Sequence, residues 1–158
     1  MARVSSPYHA FARTAARRPD LVFALAPASA RLPWAPEGFR ITYAEAAAKV
    51  ATLQAAYAEA GYGHGSRVAL LLQNRPEFLL HWLALNAIGA SIVPLNGDMR
   101  PDELRHQMVV SQAEAVIAVP GFEGVLAGVP EGVPIASPDA PPPPARTRRA
   151  PAVGGPDD

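Results

Sequence analysis

Few side chains in this sequence are of types that carry out chemistry, and their spacing matches no catalytic or metal-binding motif. The four histidines, His9, His64, His81 and His106, show no metal-ligand spacing and have no paired acidic residues of the kind found in a metalloprotease helix. The absence of cysteine excludes a thiolate metal site and a cysteine nucleophile. A Gly-x-Ser-x-Gly elbow and a Walker loop are also lacking. We therefore predict no catalytic, cofactor-binding or metal-ligating residue in this chain.

Two further features invite a functional interpretation that their context argues against. His81 lies in a strongly apolar stretch, which favours a packed histidine bonded to a backbone carbonyl over a catalytic one. The glycines at positions 61, 63 and 65 superficially resemble a dinucleotide-binding motif. They follow a predicted helix and precede a predicted strand, whereas a phosphate-binding glycine loop follows a strand and opens a helix. We therefore assign no phosphate role to them.

The elements that would position any site are organised around residues 65–96, which read as strand, helix, strand. The apolar runs 68–72 and 91–95 are short and lack polar alternation, as in strands buried on both faces. Between them, Pro76 opens an apolar helix that ends near Gly89, with Asn74 as its predicted cap. A second helix from Pro101 and a third apolar strand at 115–119 extend the unit to βαβαβ, with parallel strands.

The front of the chain adds flanking helices and one more strand. Ser6-Pro7 predicts the start of an amphipathic helix, and Leu21 to Ala26 predicts a strand. A proline-rich loop from 27 to 38 carries Trp34, and Thr42 to Glu45 form a capping box that opens a helix ending at Gly61. The fold class is therefore α/β, a partial doubly wound parallel sheet with flanking helices.

In sheets of this class, ligands bind beyond the carboxyl ends of the strands. Those ends are predicted at Gln73-Asn74, Leu95-Asn96-Gly97 and Pro120-Gly121. No titratable residue with an obvious partner lies among them, so the residues alone predict only the edge of a cleft.

The composition changes at residue 130, where we divide the chain into an α/β subdomain, 1–129, and a proline-rich tail, 130–158. Nine of the 18 prolines lie in this tail, and Pro141 to Pro144 predict polyproline II. Large apolar side chains are scarce, so we expect the tail to be flexible and disordered. It serves either as a linker or as a ligand for an SH3-type partner.

Charge and hydropathy exclude several classes of partner. The net charge of +0 argues against nucleic acid and anionic membranes as partners held by bulk electrostatics. No apolar run approaches the roughly 20 residues of a membrane span. The lack of cysteine fits a cytoplasmic protein.

A series of short stretches between about residues 5 and 120 keeps the order and spacing of one known family. They are RRPD at 17–20, ITYAE at 41–45, GSRVA at 65–69, QNRPEF at 73–78, AIGA at 87–90, VPLN at 93–96, EL at 103–104 and VI at 116–117. Each is weak alone. Together they resemble the N-terminal section of AMP-forming acyl-CoA synthetases, the adenylate-forming superfamily of acid–CoA ligases, luciferases and peptide-synthetase adenylation domains.

The resemblance implies a ligase that activates a small carboxylic acid with ATP and magnesium and transfers the acyl group to coenzyme A, for example in fatty acid metabolism. In that family a Ser/Thr/Gly-rich loop ending in Pro-Lys grips the phosphates, and further acidic residues and a lysine act later in the sequence. This sequence contains none of them, so we carry over no catalytic residue and expect the chain to be inactive alone. We expect the reading frame to be incomplete. The alternative is a non-catalytic interaction module that docks a partner through its tail.

Overall fold

The computed structural model describes residues 6–151 of the chain. The helices are α1 (Pro7–Arg17), α2 (Tyr43–Ala60), α3 (Pro76–Ala87), α4 (Pro101–Ser111) and α5 (Glu123–Leu126), with a 3-10 turn at Ala28–Ala30. The strands are β1 (Val22–Ala26), β2 (Phe39–Thr42), β3 (Arg67–Leu71), β4 (Ser91–Pro94), β5 (Ala115–Ala118) and β6 (Ile135–Ala136).

The centre of the described fold is a parallel sheet of four strands in the order β4-β3-β5-β6. Ala69 of β3 lies opposite Val93 on one side and Val116 on the other, which confirms the predicted parallel βαβαβ unit. The apolar residues of β3 are fully buried because helices cover both faces of the sheet.

Alternate residues of β3 enter two separate cores. Val68 and Leu70 belong to the larger core, which contains residues of α1, α2 and α3. Ala69 and Leu71 belong to a smaller core with Leu104 of α4. The period of two along a strand produces this division, and the uninterrupted apolar sequence of β3 is what supplies both faces.

The predicted helix starts are confirmed with one correction. Ser6 caps α1, and Thr42 forms the predicted capping box with Glu45 at the start of α2. The predicted cap of α3 at Asn74 is wrong, because the N-cap is Arg75, which makes no side-chain capping bond within the described chain. Pro76 occupies the first helical position, and the residue before a proline is driven to the extended conformation that a cap requires.

The predicted strand at 21–26 is confirmed as β1, but it lies outside the parallel sheet. It pairs antiparallel with β2 in a separate two-stranded sheet. An aromatic cluster of Phe11, Phe23 and Tyr43, with ring centroids 5.2 to 5.7 Å apart, joins this sheet to α1 and α2. Leu25 on β1 stays 65% exposed.

The proline-rich tail is the main departure from expectation. Its residues 135 and 136 form β6 and extend the parallel sheet beside β5. Farther on, the Ala145 amide donates to the Ala60 carbonyl at 2.9 Å and the Arg149 amide to the Gly61 carbonyl at 2.8 Å. Backbone hydrogen bonds thus connect part of this segment, which has little apolar surface, to the rest of the fold. The flexibility of the tail as a whole stays a prediction.

Residues 152–158 of the predicted tail lie outside the described residues. The division of the chain at residue 129 stays a prediction. Within residues 6–151, the helices are all too short or too polar to cross a membrane.

Candidate functional site

The carboxyl ends of β3 and β4 open into a cavity of about 770 Å³, which we call the carboxyl-end cleft. It is lined by residues 73–75 after β3, residues 95–98 after β4, Phe78 of α3 and the loop residues 32–34. The first two predicted strand ends are thus brought together, as the parallel topology requires. Pro120 and Gly121 are not among the lining residues. The next residue, Phe122, packs so closely on Gly97 that a Cβ there would overlap its ring.

A second cavity of about 540 Å³ adjoins the carboxyl-end cleft. The two share Leu32, Trp34, Phe78 and residues 73–75. The second cavity is otherwise apolar, with residues 24–27, Ala30, Phe39, Pro76 and Leu79 in its wall. Arg75 therefore lies between a polar and an apolar space, and a ligand held there could place different groups in each.

Arg75 and Trp34 form the most unusual pair in the cleft. The guanidinium carbon of Arg75 lies 5.7 Å from the Trp34 ring centroid, within the range of a cation–π contact. The Arg75 Nε atom is buried and has no hydrogen-bond partner among the described residues. Phe39 packs edge-on against Trp34 at 5.9 Å and so helps to fix the indole.

Sequence reasoning did not find Arg75, and it placed Trp34 only on a loop. The proximity of Arg75 to the carboxyl end of β3 was a usable indication, but the contact with Trp34 joins residues 41 positions apart and has no local signature.

The backbone turns sharply where β3 enters the cleft. Gln73 has φ of 51°, in the left-handed region that side chains other than glycine seldom adopt. Asn74 is exposed and lines the cleft, and it does not cap α3. Residues held in such conformations concentrate at ligand sites, because the surrounding fold must stabilise them.

His81 confirms the prediction of a packed histidine. Its Nε2 lies 3.2 Å from the Pro138 carbonyl oxygen, and its Nδ1 lies 2.7 Å from the Tyr57 hydroxyl. A neutral ring satisfies both contacts, with Nε2–H donating to the carbonyl and Nδ1 accepting from the tyrosine. Burial lowers the pKa of His81 to about 4. The ring therefore holds the tail against α2 and α3 and is not available as an acid near neutral pH.

The opposite, amino-terminal ends of the strands hold a dense polar cluster. We call it the amino-end seam: residues 61–66, Glu114, and tail residues 145–150. The Arg149 guanidinium donates to Glu114 Oε1 at 2.7 Å and to Ser66 Oγ at 3.2 Å, and the Arg146 amide donates to Glu114 Oε2 at 3.2 Å. Glu114 is only 7% exposed. Both of its oxygens are occupied, so the seam anchors the tail and leaves no free acid.

The glycine run has its explanation in this seam. The His64 amide donates to the Ala150 carbonyl at 3.0 Å, and a Cβ on Gly63 would overlap that same carbonyl. Gly61, with φ of 98°, ends α2. Gly63 therefore allows close backbone contact with the tail, and Gly61 and Gly65 supply backbone conformations with positive φ.

The described residues do not by themselves fit ATP phosphates or a magnesium ion. Among residues 6–151 there is no group of three or more His, Cys, Asp or Glu side chains placed to hold a metal. The cleft offers one cation, Arg75, one carboxylate, Asp98, and the amides of Gln73, Asn74 and Asn96. This set can bind and orient an anionic or amphipathic ligand.

Comparison with known proteins connects this geometry to a family. The family model described as AMP-binding enzyme matches residues 11–152. The chain is 35% identical over 106 residues to a 4-coumarate–CoA ligase of Humulus lupulus, with 65% of this chain and 19% of the relative covered. It is 36% identical over 95 residues to a feruloyl-CoA synthase of an Amycolatopsis species, with 60% and 19% covered. The chain thus spans about a fifth of the length of these relatives.

Solved structures share the fold. The N-terminal subdomain of Klebsiella oxytoca NpsA, in complex with 3-hydroxyanthranilyl-AMSN, superposes with a TM-score of 0.73 at 20% identity, over 97% of this chain and 36% of that one. A fatty acyl CoA synthetase of Mycobacterium tuberculosis gives a TM-score of 0.71 at 23% identity, over 82% and 26%. The family match, which covers most of the sequence, decides the assignment: this chain belongs to the AMP-binding enzyme family.

Proposed function

We propose that this chain is the N-terminal section of an acid–CoA ligase, an enzyme that joins a carboxylic acid to coenzyme A at the expense of ATP. The observation that carries the proposal is the family match over residues 11–152. The names of the curated relatives support it, since they include 4-coumarate–CoA ligase, feruloyl-CoA synthase and crotonobetaine/carnitine–CoA ligase.

Within such an enzyme, these residues supply the parallel sheet and one wall of the substrate cleft. The sheet holds residues 73–75 and 95–98 on a rigid edge, where the Arg75 cation and the neighbouring amides can bind an anionic substrate. Electrostatic stabilisation of the transferring group requires preorganised cations and amides around the phosphates. Residues 6–151 hold no such set, so we propose that the chain is inactive alone. When bound in the complete enzyme, ATP with magnesium supplies the leaving group that activates the acid.

The experiment compares the chain with a chimera. The purified chain is expected to give acid-dependent ATP–pyrophosphate exchange no higher than a protein-free blank. A chimera in which this chain replaces the matching section of the Humulus lupulus 4-coumarate–CoA ligase is expected to restore exchange with 4-coumarate. The fold and the family match favour this result, because the replacement would rebuild the sheet on which the rest of the enzyme packs.

Two controls test whether the activity of the chimera depends on this chain. The relative without its N-terminal section should be inactive, and an unrelated α/β domain of similar length in that place should be inactive too. A folded chimera that shows no exchange with any tested acid, or a chain that alone catalyses exchange, would contradict the proposal.

The proposal leaves the acid open between aromatic acids, of the type named in the relatives, and fatty acids. It includes a cytoplasmic location, which the lack of cysteine favours. The alternative of a docking module gains no specific support, because backbone groups between residues 135 and 150 form hydrogen bonds with other parts of the same chain.

A further inference from the structure

We propose that Arg75 and Trp34 form an oxyanion-binding site in the carboxyl-end cleft and contact an anionic substrate directly. The inference rests on the proposed function, whose substrates all carry a carboxylate or phosphate groups. It goes beyond that function by naming the residues of this chain that bind the anion.

The first support is the unsatisfied hydrogen-bond donor Nε of Arg75. Its Nε is buried from solvent yet bonds no described residue, and a buried donor without a partner costs roughly 1–3 kcal/mol. The planar fork of arginine matches the two oxygens of a carboxylate or phosphate, and an oxyanion in the cleft would supply the anionic partner that the Arg75 guanidinium lacks among the described residues.

The second support is the surroundings that hold the side chain. Trp34 lies 5.7 Å from the guanidinium carbon, and Phe39 fixes Trp34 in turn. This cation–π contact helps to hold the guanidinium beside the indole. The only carboxylate that lines the same cavity is Asp98, whose ion pair with Arg75 is not formed in the described structure.

The third support is the space around the pair. The cavity of about 770 Å³ is within the usual range for small-molecule sites, and the adjoining apolar cavity of about 540 Å³ shares Arg75. An anion at Arg75 could therefore extend a flat or apolar portion toward Phe39 and Phe78. The strained Gln73 at the cleft edge is consistent with a fold that keeps this opening rather than filling it.

The test is equilibrium binding to the purified chain. The protein has two tryptophans, so Trp82→Phe leaves Trp34 as the sole tryptophan, which is excited selectively over the four tyrosines. Coenzyme A, ATP and 4-coumarate are titrated separately at low salt, with affinities measured by calorimetry and Trp34 emission as the local report. At least one of the three is expected to bind and change the emission, and the identity of that ligand separates a phosphate source from a carboxylate source.

Two variants act in opposite directions. Arg75→Gln is expected to weaken binding about tenfold or more, since it removes a charge-assisted contact. Asp98→Asn is expected to tighten binding about two- to fivefold, because it removes from the cavity a negative charge that repels the anionic ligand. A gain in affinity cannot come from partial unfolding, so the second variant keeps the test valid if the first destabilises the fold. The matched control is Arg105→Gln, which removes the same charge from the exposed face of α4.

The proposal is overturned if none of the three ligands binds at about 1 mM. It is equally overturned if affinity is unchanged in both Arg75→Gln and Asp98→Asn, because binding then occurs elsewhere. These outcomes are distinguishable from those of the chimera experiment. An active chimera together with no effect of Arg75→Gln on binding would contradict only the proposed anion site. Binding at Arg75 together with an inactive chimera would contradict only the proposed ligase function.

Discussion

The two ends of the parallel sheet are built in opposite ways. At the amino-end seam, Glu114 uses both carboxylate oxygens, Ser66 bonds both Arg149 and the Gly63 amide, and the tail backbone lies directly on the glycines. At the carboxyl-end cleft, the buried Arg75 Nε has no hydrogen-bond partner among residues 6–151, and Gln73 adopts a left-handed conformation beside an open cavity.

This difference indicates a structural role for the seam and a binding role for the cleft. A cluster whose buried carboxylate bonds through both oxygens stabilises the native state and keeps that charge from a ligand, although the buried Tyr62 hydroxyl of the same seam has no partner among the described residues. A cluster with an unmade bond and backbone strain lowers stability, and it persists where a ligand completes it. The Arg149–Glu114 ion pair therefore identifies the seam as an anchor, and the cleft is the binding site that we propose.

The largest expected effect is the loss of the buried carboxylate in the seam. Glu114→Ala should lower the free energy of unfolding by about 3 kcal/mol, because it leaves Arg149 and the Arg146 amide without their partner. Urea denaturation followed by circular dichroism measures the change. Glu131→Ala, at an exposed position, is the control and should shift stability by less than about 0.5 kcal/mol. Equal stabilities for the two variants would refute the anchoring role.

The next effect concerns the docking of the tail on the glycines. Gly63→Ala should displace the tail, since its Cβ would overlap the Ala150 carbonyl, and the cost should be about 2 kcal/mol. The readout is trypsin cleavage after Arg146, Arg148 and Arg149, which should become much faster. Gly124→Ala, whose Cβ would meet nothing within 4 Å, should cleave at the wild-type rate. Unchanged cleavage of the Gly63 variant would mean that the close contact does not hold the tail.

His81, which contacts the tail, makes the stability of the folded protein depend on pH. Its pKa is lowered to about 4 in the folded protein from 6.5 in the unfolded chain, so the unfolded state binds more protons between these values. The stability contributed by the neutral ring is therefore complete above pH 6.5 and is lost as the pH falls toward 4. The loss between pH 7 and pH 5 should be about 2 kcal/mol.

Urea midpoints at the two pH values measure this effect. His81→Gln should flatten the dependence, whereas His106→Gln, which removes an exposed histidine, should keep it. If His81→Gln retained the full pH dependence, another group would be responsible.

The smallest effect tests the strain in the cleft. Gln73→Gly should raise stability by about 0.5–1 kcal/mol, because glycine adopts φ of 51° without a steric cost. The reference is Gln54→Gly in the middle of α2, where glycine should lower stability by about 1 kcal/mol. A destabilised Gln73→Gly variant would show that the left-handed conformation is not strained and would weaken the contrast between the two ends.

Much of the fold could be predicted from the sequence because its determinants are local. The apolar runs of β3, β4 and β5, the capping box at Thr42 and the proline at the start of α3 each leave a pattern in a few adjacent residues. The strand ends that line the cleft followed from parallel topology.

The tail and the cleft's central residues could not be predicted, for two physical reasons. Apolar content alone predicted a flexible tail and gave no sign of its contacts, which are backbone hydrogen bonds and a partly buried ion pair with residues more than 30 positions away. The Arg75–Trp34 contact and its unmade hydrogen bond likewise exist only after the loop 32–34 folds against α3. The sequence by itself determined the order of the elements, the parallel sheet and the position of its ligand edge, because periodicity and capping act over a few residues. Only the tertiary structure decided which charged side chains are satisfied and which are free to bind, because that depends on partners brought together from distant parts of the chain.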